Sequence, residues 1–203
     1  MWNDAVNSTT VGELAHISSG YPLRVSAEEL DPGDVAFVQL KNVGHPHGVA
    51  WQDVAKVALP SKREPAWLSP GDVLFSSRGT KTLAYPVATT PARAVCGPQF
   101  FVITISDSRS VLPEFLAWQI NQKPAQDYLQ KESTGSFIQN IRKPVLEQLP
   151  IALPPLEEQR LIVQFWRAAQ REREILQQLI EATDAQLDAI ASRLVTTTKG
   201  ARA

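Results

Sequence analysis

Apolar residues in the first half of the chain occur in short runs that are rich in Val, Ile and Phe and are separated by Pro, Gly, Asp or Ser. Three such runs are "DVAFVQLK" at 34–41, "DVLFSS" at 72–77 and "QFFVITIS" at 99–106. Runs of this kind between turn-forming residues are typical of β-strands. "DPGD" at 31–34 and "SPGD" at 69–72 each place Pro-Gly before an apolar run, which predicts two turns that lead into strands.

Helical spacing replaces this pattern after residue 112. Pro113 suits the first turn of a helix, and Pro124 forces a break. The sequence therefore predicts two short helices within 113–130. Their apolar positions, three or four residues apart or in helical register, are Phe115, Leu116, Ile120, Tyr128 and Leu129.

The segment 154–196 carries two adjacent apolar stripes at helical spacing. Pro155 suits a first helical turn, and Glu157 and Glu158 favour its positive end. A helix of this length is a rod about 60 Å long, so part of it is expected to project from a domain of this size. Arg173 interrupts the main stripe and Thr183 weakens it, which argues against a simple two-stranded zipper.

A projecting helix with a double apolar stripe needs partner helices, because a contiguous apolar face of that length is unfavourable in water. The alternative is that the helix folds back on its own domain. The predicted interface residues are Leu161, Ile162, Phe165, Trp166, Ile175, Leu176, Leu179, Ile180, Leu187, Ile190 and Leu194.

The fold class predicted from these patterns is α+β. A domain with a mixed or antiparallel sheet and short helices occupies 1–153, one long helix occupies 154–196, and 197–203 is a flexible tail. Hydrophobic residues make up 43% of the 203 residues, and no apolar run approaches the ~18 residues of a membrane span. The N-terminus lacks the features of a secretory signal and Cys96 is the single cysteine, so a reducing cytoplasm is expected.

Formal charge is −1, so no global charge points to a nucleic-acid partner. The charge is locally uneven between 61 and 93, where the cations outnumber Glu64 and Asp72 by three. This excess predicts a basic edge, formed by Lys62, Arg63, Arg78, Lys81 and Arg93.

Four stretches, in order, resemble the specificity subunits of type I restriction-modification systems. They are "VGELAHISSGYPLR" (11–24), "LSPGDVLFSSRGT" (68–80), "KESTGSFIQNI" (131–141) and "QNIRKPVLEQLPIALPPLEEQRLI" (139–162). Members of that family usually carry two target-recognition domains and two long helices that pair antiparallel. With one of each, this chain resembles a half subunit, and the resemblance implies that two copies associate through their helices, with "LPPLEEQ" as a rigid corner.

The resemblance implies that the loops around 76–81 and 133–143 contact DNA. Arg78 would read the O6/N7 edge of guanine or clamp a phosphate, while Thr80 and Lys81 suit the DNA backbone. The alternative is an ordinary polar turn at 76–81 and a solvated loop with a helix cap at 133–136. The full predicted DNA-binding set is Tyr21, Arg24, Lys41, Ser77, Arg78, Gly79, Thr80, Lys81, Ser133, Thr134, Gly135, Ser136, Gln139 and Lys143.

We predict a non-catalytic chain, because it has no motif for S-adenosylmethionine or for a nucleoside triphosphate. The resemblance implies double-stranded DNA and methyltransferase subunits as partners, with S-adenosylmethionine in those subunits and a restriction subunit as a further candidate. Alternatives are a DNA-free protein-interaction module and, with lower weight, a metal-dependent nuclease built on Asp34, Gln39 and Lys41. His45 and His47 lack a third ligand nearby, so no metal is assigned.

Overall fold

The computed structural model describes residues 7–23, 31–44, 48–60, 64–133 and 139–200, with side chains described up to Ala191. Most strands precede residue 110, short helices follow, and a long helix comes last. The predicted α+β class, with mixed and antiparallel sheets, short helices and one long C-terminal helix, is confirmed.

The central sheet has four antiparallel strands, in the order β2 (Ala15–Ser19), β11 (Phe100–Ile105), β7 (Val73–Ser76) and β9 (Ala84–Pro86). Successive side chains of a strand point to opposite faces of the sheet. Val73 and Phe75 accordingly enter one core cluster, while Leu74 enters another. Burial on both faces explains why 73–75 and 100–103 are continuously apolar.

A second sheet contains β10 (Ala94–Cys96), β3 (Pro32–Val38) and β6 (Lys56–Val57), with β3 parallel to β10 and antiparallel to β6. The prediction of a separate turn at "DPGD" is wrong, because β3 begins at Pro32 and its register shifts before Val35. A Cβ at Gly33 would lie 2.3 Å from the Val57 backbone, so glycine permits this bulge.

The turn predicted at "SPGD" is confirmed. Gly71 has a φ of +96°, a conformation that favours glycine. The backbone N–H of Ser69 donates to the Asp72 carboxylate at 2.7 Å, which closes the turn before β7.

Three two-stranded antiparallel pairs complete the strands. β1 (Asn7–Thr10) pairs with β13 (Pro150–Leu153), which joins the start of the domain to its end. β4 (Val43–Gly44) pairs with β5 (Gly48–Val49), and β8 (Arg78–Gly79) pairs with β12 (Gln139–Asn140). Short 3-10 turns lie at Leu40–Asn42 and Trp51–Asp53.

Four short helices pack in the domain: α1 (Val11–Leu14), α2 (Pro113–Ile120), α3 (Lys123–Glu132) and α4 (Lys143–Glu147). α2 and α3 are the two helices predicted. α2, α3 and α4 each have Pro in the first turn, where the missing N–H costs nothing. They bury Phe115, Leu116, Ile120, Leu129 and Leu146 in the first core cluster.

The long helix α5 (Leu156–Gly200) begins directly after Pro154 and Pro155. Its first turn is fixed by Gln159, whose side chain is fully buried. The Gln159 Oε1 accepts from the backbone N–H of Leu112 at 2.9 Å, and its Nε2 donates to the carbonyls of Ser110 and Pro154 at 2.9 and 2.8 Å. This amide holds the corner that "LPPLEEQ" was predicted to form.

The chain divides into two compact units, residues 1–163 and 164–203. Within the first, Val163 is buried and Ile162 half-buried against the core cluster, so the helix contributes its first two turns to the domain. The second is helical as far as Gly200, and 201–203 lie outside the described residues. None of the helices among the described residues is long and apolar enough to cross a membrane.

Candidate nucleic-acid interface

The β8–β12 ribbon joins the two loops that were predicted to contact DNA. Arg78 pairs with Asn140 and Gly79 with Gln139, and the backbone N–H of Ile141 donates to the Ser77 carbonyl at 2.8 Å. Residues about sixty positions apart in sequence therefore form one structure. Both loops are predicted as DNA contacts from the sequence, but their pairing is not.

The exposed side chain of Arg78 lies beside Asn140 on this ribbon. Its Nε donates to the Asn140 Oδ1 at 3.3 Å. Gly79 has a φ of +149°, which side chains rarely adopt, so this position favours glycine. Thr80 and Lys81 follow at the exposed tip of the loop.

Two buried hydroxyl groups of the 76–82 loop form hydrogen bonds within the domain. Ser77 is buried, and its Oγ donates to the Gln99 carbonyl at 2.9 Å. Thr82 is also buried, and its Oγ1 donates to the Gln139 Oε1 at 3.2 Å. Ser77 was predicted as a DNA contact, and the structure gives its hydroxyl a partner inside the domain.

Amide side chains at the junction of α2 and α3 support the same loop. Asn121 brackets Ala84, accepting from its N–H and donating to its carbonyl, both at 2.8 Å. Gln126 Nε2 donates to the carbonyls of Thr82 and Ile120 at 3.0 and 2.8 Å. Sequence reasoning missed Asn121 and Gln126, because hydrogen bonds over 37 and 44 residues leave no local signal.

The two segments that form the ribbon carry positive charge. Segments 76–82 and 139–143 contain Arg78, Lys81, Arg142 and Lys143, and no Asp or Glu. Lys143 forms an i,i+4 pair with Glu147 at 3.5 Å, whereas Arg142 is exposed at the start of α4. Cations on a fixed backbone suit the phosphates and base edges of nucleic acid.

Other predicted DNA contacts lie elsewhere in the domain. Tyr21 is buried with the second sheet's core and borders a cleft with Glu64 and Pro98. Lys41 is exposed in the 3-10 turn after β3, and the Ser133 Oγ donates to the Gln130 carbonyl at 2.8 Å at the end of α3. The remaining members of the set, Arg24, Thr134, Gly135 and Ser136, lie outside the described residues.

Two members of the predicted basic edge, Arg78 and Lys81, lie on the ribbon loop, whereas Arg93 has other partners. Arg93 forms an ion pair with Asp34 and lies 5.0 Å from the centre of the Trp67 ring. Lys62 and Arg63 lie outside the described residues. The Arg93 pair also occupies the carboxylate on which the nuclease alternative depends, and within the described part of the chain no His, Cys, Asp and Glu side chains cluster as metal ligands. His45 and His47 lie outside that part.

The helix after residue 160 exposes most of its predicted interface. Phe165 is 78% exposed. Ile162 is instead half-buried on the domain core, and Trp166 is half-buried. The side chain of Leu194 lies outside the described set. The other exposed members are Leu161, Ile175, Leu176, Leu179, Ile180, Leu187 and Ile190.

Three solved structures share this fold. The S subunit of a type I restriction-modification system from M. genitalium is 19% identical, with a TM-score of 0.56, and the match covers 89% of this chain and 44% of that one. A chain from a structure of complex assembly and conformational transition of the type I R-M system is 23% identical, with a TM-score of 0.66 and coverages of 94% of this chain and 44% of that one. The HsdS subunit from Thermoanaerobacter tengcongensis is 24% identical, with a TM-score of 0.57 and coverages of 85% of this chain and 39% of that one. This chain thus spans less than half the length of each. No curated protein matches it.

Residues 3–183 match the family model of the type I restriction modification DNA specificity domain. The match runs through the domain and much of the long helix, so it includes the ribbon and the exposed apolar face as far as Ile180. It confirms the resemblance drawn from the four sequence stretches, and with it the prediction of a non-catalytic, DNA-recognising component. The chain belongs to the type I restriction-modification DNA specificity family.

Proposed function

We propose that the chain reads one half of a bipartite DNA sequence through the β8–β12 ribbon. The observation that carries this proposal is the pairing of two predicted DNA loops into one basic ribbon, supported by Asn121, Gln126 and Thr82. A fixed backbone reduces the entropy lost on binding. One recognition domain with one helix is also consistent with this chain's coverage of 39–44% of each solved chain.

The test of DNA binding is the salt dependence of affinity for duplex DNA. A doubly substituted protein, Arg78→Ala with Lys81→Ala, should bind more weakly, and its log–log salt slope should fall by about one for each phosphate that it no longer neutralises. Lys123→Ala is the matched control, because Lys123 is exposed on α3 and pairs with Asp127. Equal slopes for all three proteins would contradict the proposed site.

We further propose that α5 pairs with α5 of a second copy. Its exposed apolar face is unfavourable in water and is expected to pack against a partner helix. The distribution of its charges favours an antiparallel partner. Residues 160–173 contain four Arg and one Glu, whereas 174–188 contain four acids and no Lys or Arg. An antiparallel pair centred on residues 175 and 176 brings Arg171 near Glu181 of the second copy, and Phe165 near its Leu187.

A charge exchange tests the orientation. Arg171→Glu and Glu181→Arg should each weaken the dimer, because each places like charges across the antiparallel seam, and the double substitution should restore it. The effect per surface pair is about 0.2–1 kcal/mol, so sedimentation equilibrium over a dilution series is the measurement. Failure of the double variant to recover association would exclude this register. A monomer at every concentration would exclude the second copy.

Methyl transfer in this proposal belongs to methyltransferase subunits that bind S-adenosylmethionine, with a restriction subunit as a further candidate partner. The helix pair would set the distance between the two half-sites. Inserting four residues into α5 lengthens it by about 6 Å, close to two base-pair steps. Methylation mapping in cells should then show a longer spacer between unchanged half-sites. Altered half-site bases with an unchanged spacer would remove α5 from this role.

A further inference from the structure

The Arg78 guanidinium is held at one edge and open at the other. Its Nε donates to the Asn140 Oδ1, and within the described residues Arg78 makes no other hydrogen bond or ion pair. A guanidinium carries five N–H groups in a planar fork. The hydrogen bond to Asn140 uses the Nε–H and leaves the two terminal nitrogens, with two N–H groups each.

Asn140 is itself fixed. It lies opposite Arg78 in the ribbon register, and the next residue donates its backbone N–H to the Ser77 carbonyl at 2.8 Å. α4 begins three residues later, at Lys143, and buries Leu146 completely in the first core cluster. The Asn140 amide therefore acts from a rigid part of the domain.

We propose that Asn140 is a positioning residue, and that Arg78 held in this way determines a guanine in the target half-site. This inference rests on the proposed DNA-reading function of the ribbon. A hydrogen bond at Nε restricts rotation about the Cδ–Nε bond and sets the plane of the fork. Two parallel N–H groups then match the O6 and N7 acceptors of one guanine. A phosphate accepts a cation over a wider range of orientations, so a fixed plane favours base readout.

The experiment uses the full chain and a pool of random-sequence duplexes at low salt. Wild-type selection defines the preferred bases, and Arg78→Ala identifies the position where the preference for guanine disappears. Asn140→Leu, which removes the acceptor at similar size, should reduce that preference by about 2- to 12-fold, the cost of ordering one long side chain. Preferences at the other positions should stay unchanged.

Asn140→Asp is the conservative variant. Its carboxylate keeps an acceptor for Nε, so the guanine preference should persist even though the added negative charge weakens binding to every sequence. Arg78→Lys keeps the charge but has no Nε–H and no fork, and should lose the preference while retaining overall affinity. This variant does not touch Asn140, so it tests the guanine readout even where Asn140→Leu fails to fold, and Asn140→Asp then tests the positioning role.

The possible outcomes distinguish failure of the positioning role of Asn140 from failure of the proposed DNA-reading function of the ribbon. Unchanged DNA binding by Arg78→Ala would overturn the ribbon as the reading surface. A guanine preference absent in Arg78→Ala but intact in Asn140→Leu would overturn only the positioning role. Uniformly weaker binding of Asn140→Leu to all sequences would assign Asn140 to folding. Asn140→Leu added to Arg78→Ala should cause no further loss of preference, because one interaction is removed in both.

Discussion

Apolar side chains are mostly buried in the domain and mostly exposed on the helix. In residues 1–163 most of the described large apolar side chains are buried or half-buried, and Phe75, Phe100 and Phe115 are at most 1% exposed. In residues 164–203 the helix leaves Phe165 78% exposed and Leu179 60% exposed. The two regions share one chain and similar apolar residues, yet only the first has a core of its own.

This difference in exposure supports the proposed association of α5 with a second copy. A single helix cannot bury two apolar stripes against itself, whereas a sheet with strands paired on both sides buries both of its faces under helices and loops. Substitutions in the domain should therefore act on folding, and substitutions on the helix should act on association.

The largest contrast is expected between two phenylalanines. Phe75→Ala leaves a cavity beneath the central sheet and should lower the free energy of unfolding by about 3–5 kcal/mol. Phe165→Ala, at the same low protein concentration, should change it by less than about 0.5 kcal/mol. Denaturant titration followed by tryptophan fluorescence measures both. Comparable losses in the two variants would mean that the exposed helix face belongs to the core of the monomer.

Phe165→Ala should instead shift the monomer–dimer equilibrium. The proposed antiparallel pair buries two copies of this side chain, so the dissociation constant should rise at least tenfold, given about 1.5–3 kcal/mol for each buried aromatic side chain. Sedimentation equilibrium provides the value.

The next effect is expected at the corner where α5 begins, within residues 1–163. Gln159→Leu leaves the N–H of Leu112 and the carbonyls of Ser110 and Pro154 without their partner, which should cost about 1–3 kcal/mol of stability. Gln178→Leu is the control, since Gln178 is exposed further along the same helix. Thermal unfolding of both variants compares them. An unchanged midpoint for Gln159→Leu would show that the corner is held by the prolines alone.

The sequence predicts the parts of this molecule that depend on local pattern. The runs at 72–77 and 99–106 become β7 and β11, and Pro113 and Pro155 mark helix starts because proline is tolerated there. "DPGD" failed as a turn because Gly33 serves a close backbone approach to Val57, which depends on a strand more than twenty residues away. Local chemistry alone does not separate a turn from a bulge.

In the candidate DNA-binding site, too, the sequence predicts what depends on local pattern and does not predict contacts between distant residues. Arg78 and Lys81 were identified from their own loop, but the partnership of Arg78 with Asn140 spans 62 residues and Thr82 with Gln139 spans 57. Ser77 looked available in the sequence, and its burial became visible only with β11 beside it. Residue type suggests which groups bind DNA, and tertiary contacts decide which of them are free to do so.

A smaller effect is expected at the ribbon loop, which is exposed like the helix but fixed like the domain. Gly79→Ala places a side chain at a φ of +149°, and should cost about 1 kcal/mol and weaken DNA binding through the altered loop. Gly44→Ala is the matched control, because an added Cβ there meets nothing within 4 Å and φ is not positive. Thermal unfolding and duplex binding are measured together. Equal behaviour of the two variants would show that the loop relaxes freely.

The smallest effect is expected in the labelling of Cys96, whose buried thiol reports on opening of the domain. It is 1% exposed, and burial raises the pKa of its thiol to about 12. At pH 8 the reactive thiolate is therefore on the order of one part in ten thousand, so a thiol reagent should not label the native protein. Phe165→Ala should leave Cys96 equally unreactive, whereas Phe75→Ala should speed labelling by populating the open state more often. Faster labelling in Phe165→Ala would show that the helix face protects the domain after all, and would remove the distinction between the two regions.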